Sequence, residues 1–200
     1  DKLSLVAKER INYEIQKIVN GANAIEAAIL LKKFNIFGSD DLYKDSFFLD
    51  LQKINYSELN KNEKEEFLPL FFIGQILDEP SLEKFKFSKA DIARIKLLRK
   101  WHFLLKKKNI EQLHELDLFE LHQELEIFLP SFILNLPQNL HSEWLQRWRD
   151  KDDKLFHPSQ LINGDVLKKN FKIKDGPRFG ELVYYLSKEL AYKRLNNFDE

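Results

Sequence analysis

The sequence predicts an all-α protein, and three features of it carry that expectation. Apolar residues recur at helical spacing in segment after segment, as with Ile11, Ile15 and Ile18. Gly, Pro and Ser-x-x-Asp punctuation falls between those segments, where helices start and stop. No set of β-branched runs in strict alternation appears, nor any repeat of fixed period.

Taken in order, Ser4 to Asn20 forms the first amphipathic helix, with Gly21 as its stop. Ala24 to Phe34 forms a second, whose small residues Ala24, Ala27 and Ala28 allow close packing; Gly38 ends the pair. Asp41 to Leu51 reads as a weaker, aromatic-rich helix through Phe47 and Phe48. Asn62 to Leu77 turns strongly apolar after a polar start, the pattern of a buried central helix, and is expected to stop near Pro80.

Ser88 and Asp91 form a start signal, because the hydroxyl accepts from free backbone N–H groups and the acid favours the positive helix end. The helix that follows, Lys89 to about Lys107, is expected to turn Ile92, Ile95, Leu98 and Leu105 inward and its basic residues outward. Asp117 to Leu129 is a further helix, closed by Pro130, and His141 to Arg149 a short one with Trp144, Leu145 and Trp148. The polar run Arg149 to Lys154 is the best boundary candidate. Beyond it lie a turn-helix unit, Gly164 to Asn170, and a last helix from Pro177 to about Leu195. This order suggests an elongated array in three segments, 1–60, 61–150 and 151–200.

Composition narrows the function. The chain has 200 residues, 32 Lys+Arg against 32 Asp+Glu, and no Cys, so disulfides, zinc ribbons and thiol chemistry are excluded. No apolar run approaches the roughly 20 residues of a membrane span, and no signal-peptide pattern is present. The chain opens on Asp1-Lys2-Leu3-Ser4 without an initiator Met, as a piece of a longer protein would.

With zero net charge, any nucleic-acid surface must come from local segregation of charge. Seven basic residues and no acid lie between Arg94 and Lys108; six acids and no Lys or Arg lie between Glu111 and Glu126. Lys168 to Arg178 is basic again, with Lys168, Lys169, Lys172, Lys174 and Arg178 against Asp175. Such runs are also what solvated helix faces look like.

No catalytic centre is visible. Gly-rich phosphate cradles are absent. Asp150-Lys151-Asp152 has the spacing of a two-metal carboxylate pair but no strand context, and reads as a solvated linker. His114, Asp117 and His122 would share a face on a continuous helix, yet helix-surface His near acids is the commoner case. At Gly176-Pro177-Arg178-Phe179-Gly180, Pro177 suits the first helical position, where its missing N–H costs nothing. Free amides there beside Lys174 and Arg178 would suit a phosphate. Equally, Gly180 would suit a turn packed under a neighbouring helix.

Leu161-Ile162-Asn163-Gly164-Asp165-Val166-Leu167 followed by Asp175-Gly176-Pro177-Arg178-Phe179-Gly180 resembles the tail of class II tRNA nucleotidyltransferases (CCA-adding enzymes) and bacterial poly(A) polymerases. That tail carries Ile-Ser-Gly-x-Asp-Leu and then Pro-Gly-Pro-x-Ile-Gly; here Asn163 stands for Ser and Asp175 for Pro. Lys8-Glu9-Arg10-Ile11 with Glu14 is similar to the family's neck, and Leu82 to Leu98 to its body.

The resemblance implies a neck, body and tail that hold tRNA or another RNA, while Mg²⁺ and CTP or ATP act in an N-terminal catalytic head. The head's Gly-Ser and Asp-x-Asp elements have no counterpart in this chain, so the chain itself is expected to bind RNA without catalysis or cofactor, in the cytoplasm and off the membrane. Lys168, Lys169, Lys172, Lys174 and Arg178 would contact phosphates, with Gly176 to Gly180 as an anion pocket. Arg94, Lys96, Arg99 and Lys100 would form a second patch. Glu9 and Arg10 would form an ion pair beside the nucleotide pocket. The competing expectation is a helical protein-interaction module using the Glu111–Glu126 acids with Trp144 and Trp148.

Overall fold

Among the described residues of the computed structural model every regular element is a helix, which bears out the all-α expectation. The structure describes residues 6–34, 54–158, 162, 164–171 and 176–195. The helix expected over Asp41 to Leu51 lies outside them. The helices are α1 (Lys8–Val19), α2 (Ala24–Lys33), α3 (Lys61–Ile76), α4 (Glu79–Lys84), α5 (Lys89–Lys107), α6 (Glu115–Leu125), α7 (Leu129–Ile133), α8 (Gln138–Arg149), α9 (Gly164–Phe171) and α10 (Pro177–Ala191). Among the described residues none is long and apolar enough to cross a membrane.

The helices gather into two units, one from 1–107 with 130–142 and the other from 108–129 with 143–200. The 60/61 division therefore falls within the first unit, because α1 and α2 both pack on α3. The 150/151 division falls within the second.

In the first unit α3 is the central element. Asn60 Oδ1 accepts from the Glu63 amide at 3.0 Å, and the Glu63 carboxylate accepts from the Asn60 amide at 2.8 Å, closing a reciprocal cap. Phe67, Leu68, Phe71, Phe72, Ile73 and Ile76 are buried almost all round the helix, as expected of a core position. Pro69 sits inside it, which removes one backbone donor. Two residues before Pro69, the Phe67 carbonyl accepts from the Ser131 hydroxyl of α7 at 3.1 Å. On α1 the buried stripe is Ile11, Ile15 and Val19, with Ile18 only half-buried.

Pro80 and Pro130, each expected at a helix end, sit at helix starts instead. Pro80 lies in the first turn of α4, where Asp78 Oδ1 accepts from the Ser81 amide at 2.9 Å. Pro130 lies in the first turn of α7, after α6 has ended at Leu125 and passed through a 3₁₀ turn. In a first turn the missing N–H has no acceptor to satisfy, so proline is tolerated. The Ser88–Asp91 start signal is present as read: Ser88 Oγ accepts from the Asp91 amide at 3.0 Å.

The second unit is organised by aromatic packing. Phe119 of α6 meets Tyr184 of α10 edge-on at 5.2 Å between ring centroids. His122, Trp144 and Phe156 form a cluster in which all three are buried. Asp153 organises the turn after α8, accepting from the Leu155 and Phe156 amides at 3.1 and 3.2 Å and from Arg147 Nε at 2.8 Å. Burial raises its carboxyl, but the Arg147 hydrogen bond and charge, with the two amides, more than offset that and hold it below the usual range.

Candidate functional site

The described tail residues lie on α9 and at the start of α10, within the second unit. Gly164 opens α9 facing the Phe179 ring of α10, where a Cβ would make ordinary contact at 3.4 Å, so packing does not demand glycine at this position. Lys168 is half-buried: its Nζ stands 5.1 Å from the Phe179 ring centroid and 3.7 Å from Asp165 Oδ1. Lys169 points to solvent, about 100° further round the helix. Lys172 and Lys174 lie outside the described residues.

Pro177 begins α10, as its residue type requires, with Gly176 as the N-cap. Gly176 has φ 161° and ψ 173°, an extended backbone open to any residue, so no unusual angle demands glycine here. A Cβ at Gly176 or Gly180 would meet nothing within 4 Å. This removes the packed-turn reading of Gly180, and Arg178 is exposed between them. The amides are less available than expected. Pro177 has no N–H, and those of Phe179 and Gly180 donate to the Gly176 carbonyl at 3.0 and 3.3 Å. What the helix start offers an anion is thus the Arg178 guanidinium and backbone N–H, rather than a full ring of donors.

The second basic patch does not form as one surface. Successive residues turn by about 100° around a helix, so Arg94 and Lys96 point roughly 160° apart. Arg94 pairs with Asp91 at 3.5 Å and Lys96 with Glu79 at 3.1 Å. Lys100 lies 4.9 Å from the Trp101 ring centroid. Arg99 is 6% exposed, one turn beyond the buried Ile95 on the same face, and its guanidinium donates to the carbonyls of Gly74, at 2.7 Å, and Leu77. It terminates α3 by satisfying carbonyls that have no further turn to bond them.

Glu9 and Arg10 are both exposed on α1, and no ion pair joins them. Neighbours in a helix point in different directions, which explains why adjacency did not produce contact. Of the two aromatics in the competing reading, Trp144 is core at 9% exposed, while Trp148 is half-buried and its indole N–H donates to the Glu126 carbonyl at 2.8 Å. His114, Asp117 and His122 are separated too. His114 is exposed, Asp117 faces Lys108 at 3.7 Å, and His122 is fully buried.

Among the described residues no cluster of His, Asp or Glu is arranged to hold a metal ion. No protein family, curated protein or solved structure compared with the chain matches it.

Proposed function

We propose that this chain is the RNA-binding, C-terminal helical portion of a nucleotidyltransferase that adds nucleotides, CCA or A residues, to the 3′ ends of tRNA or other RNA in the cytoplasm. Its partners are that RNA and the catalytic head of such an enzyme, where Mg²⁺ and CTP or ATP would act. The reading rests on the resemblance of the neck, body and tail sequences. The observation that carries it furthest is the open start of α10, with Gly176 and Gly180 facing free space, Arg178 exposed between them and Lys169 exposed nearby in sequence on α9. Backbone-directed contacts of this kind read RNA shape rather than base sequence. The α5 residues contribute little to it, since Arg99 is structural and Arg94 and Lys96 are ion-paired.

The test is tRNA binding by the full chain, titrated across salt concentration, against the double variant Lys169→Glu/Arg178→Glu. Losing two phosphate contacts should weaken binding roughly tenfold at low salt and flatten the log–log salt slope by about 1.5. An unchanged affinity and slope would remove this corner from the RNA-binding account.

A further inference from the structure

We propose that Asn20 is a latent deamidation site, which the turn between α1 and α2 holds in a conformation that resists the reaction. Asn20 and Gly21 are both exposed and directly follow α1. At an Asn-Gly step the chain attacks itself readily, because glycine has no Cβ to hinder its amide. The fold keeps that glycine: a Cβ at Gly21 would crowd the Lys17 and Ile18 carbonyls at 3.3 Å. In the reaction the Gly21 nitrogen gives its proton to a solvent base and bonds to Asn20 Cγ. The bond from Cγ to Nδ2 breaks, and ammonia leaves. Water then opens the cyclic imide at either carbonyl. The product is aspartate, or isoaspartate, whose main chain runs through Cβ and Cγ.

Three features of the turn oppose ring closure. Asn20 has φ −96° and ψ −3°, so the Gly21 nitrogen eclipses the backbone nitrogen of Asn20. Closure needs Cβ in that eclipsed position, yet it stands about 120° away around the tetrahedral Cα. The attacking group is engaged, since the Gly21 N–H donates to the Ile18 carbonyl at 3.2 Å. The leaving group is engaged too, since Asn20 Nδ2 donates to the Gln16 carbonyl at 2.7 Å. The turn is anchored on both sides. Val19 is buried before it, and after it the amide of buried Ala24 donates to the Gly21 carbonyl at 3.1 Å. Reaction therefore proceeds from the locally opened turn, at a rate scaled by the population of that state. Its product weakens what protected the site. A carboxylate at residue 20 faces the negative end of α1 and has no N–H for the Gln16 carbonyl.

The inference stands apart from the RNA-binding reading and is tested on the full chain. The protein is aged at mildly alkaline pH in native buffer and in guanidinium, and peptide mass spectrometry follows deamidation residue by residue. Asn163–Gly164, the other Asn-Gly step in the sequence, calibrates the denatured rate. In denaturant Asn20 and Asn163 should react at similar rates. In native buffer Asn20 should react roughly tenfold more slowly than in denaturant, or slower still. Val19→Ala, which loosens the anchor, should speed native deamidation at Asn20 and hydrogen exchange at the Gly21 amide together. Asn20→Asp should melt about 2–4 °C below the parent. Equal native and denatured rates at Asn20 overturn the proposal, as does an Asn20 that stays intact in denaturant while Asn163 reacts. So does a Val19→Ala protein in which Gly21 exchange quickens and deamidation does not. An Asn20→Asp protein that melts with the parent overturns the claim that the product weakens α1.

Discussion

The His122 ring lies 4.2 Å from the Phe156 ring, centroid to centroid, and stacks on Trp144 at 5.3 Å, with both of its nitrogens buried and unbonded. A histidine so placed behaves as an aromatic core residue that tolerates no charge. Desolvation by burial pushes its pKa down to about 3. Arg147 and His157 push the same way, while Asp153 opposes them.

The pH dependence follows from that displacement. Between about pH 6.5 and 3 the unfolded chain takes up a proton at this position that the folded chain refuses. The stability linked to His122 is therefore fully present above the unfolded value and falls as pH drops through the window, by at most about 1.4 kcal/mol per pH unit. Replacing His122 with Leu keeps the packing volume roughly and deletes the proton. Urea unfolding at a series of pH values should show the variant losing stability less steeply toward acid, by close to one proton. Parallel slopes for the two proteins would mean that His122 titrates normally.

Arg99 gives a prediction that separates structure from binding. If its guanidinium is the terminal cap of α3, Arg99→Met strands the carbonyls of Gly74 and Leu77 in the core. The cost should be about 2–4 kcal/mol, with Arg99→Lys intermediate because an ammonium lacks the planar fork. Lys100→Ala, on the exposed side of the same turn, should change stability by less than about 0.5 kcal/mol. Thermal melts of the three variants check this. An Arg99→Met protein as stable as the parent would return Arg99 to the list of RNA contacts.

Arg99 also marks where sequence reading stops. Helix periodicity made α1, α3, α5 and α10 legible, and Ser88, Asp91 and Pro177 marked two of their starts, because capping is local chemistry. Charge was read along the chain, whereas burial depends on angle around the helix; Arg99 follows Ile95 by four residues, so it turns inward with it. Pro80 and Pro130 carried the right message, a break, but sequence could not say on which side of the break the proline sits. His122 looked like a surface histidine because nothing local reveals that Trp144 and Phe156, more than twenty residues away, close over it. The α10 entrance was placed correctly by Pro177, while its reduced set of free amides depends on the bonds Phe179 and Gly180 make to Gly176.

Two lysines occupy backbone conformations that glycine adopts more easily. After α4, Lys86 has φ 60°, the Phe87 amide donates to the Leu82 carbonyl, and the Lys86 amide donates to the Glu83 carbonyl, both at 3.0 Å. After α10, Lys193 has φ 56°, with Arg194 donating to Glu189 at 2.9 Å and Lys193 to Leu190 at 3.0 Å. Both are the left-handed helix ending in which glycine usually fills the turning position. An L side chain there costs about 1–2 kcal/mol, and the greater freedom of glycine in the unfolded chain returns roughly half of that cost. Lys86→Gly and Lys193→Gly should each stabilise the protein by about 0.5–1 kcal/mol, since both side chains are exposed. Lys64→Gly, within α3, should destabilise it by about 1 kcal/mol. Chemical unfolding midpoints with unchanged slopes measure all three. If either turn variant proves less stable, its lysine makes a compensating contact, and the backbone angle is not what limits that helix end.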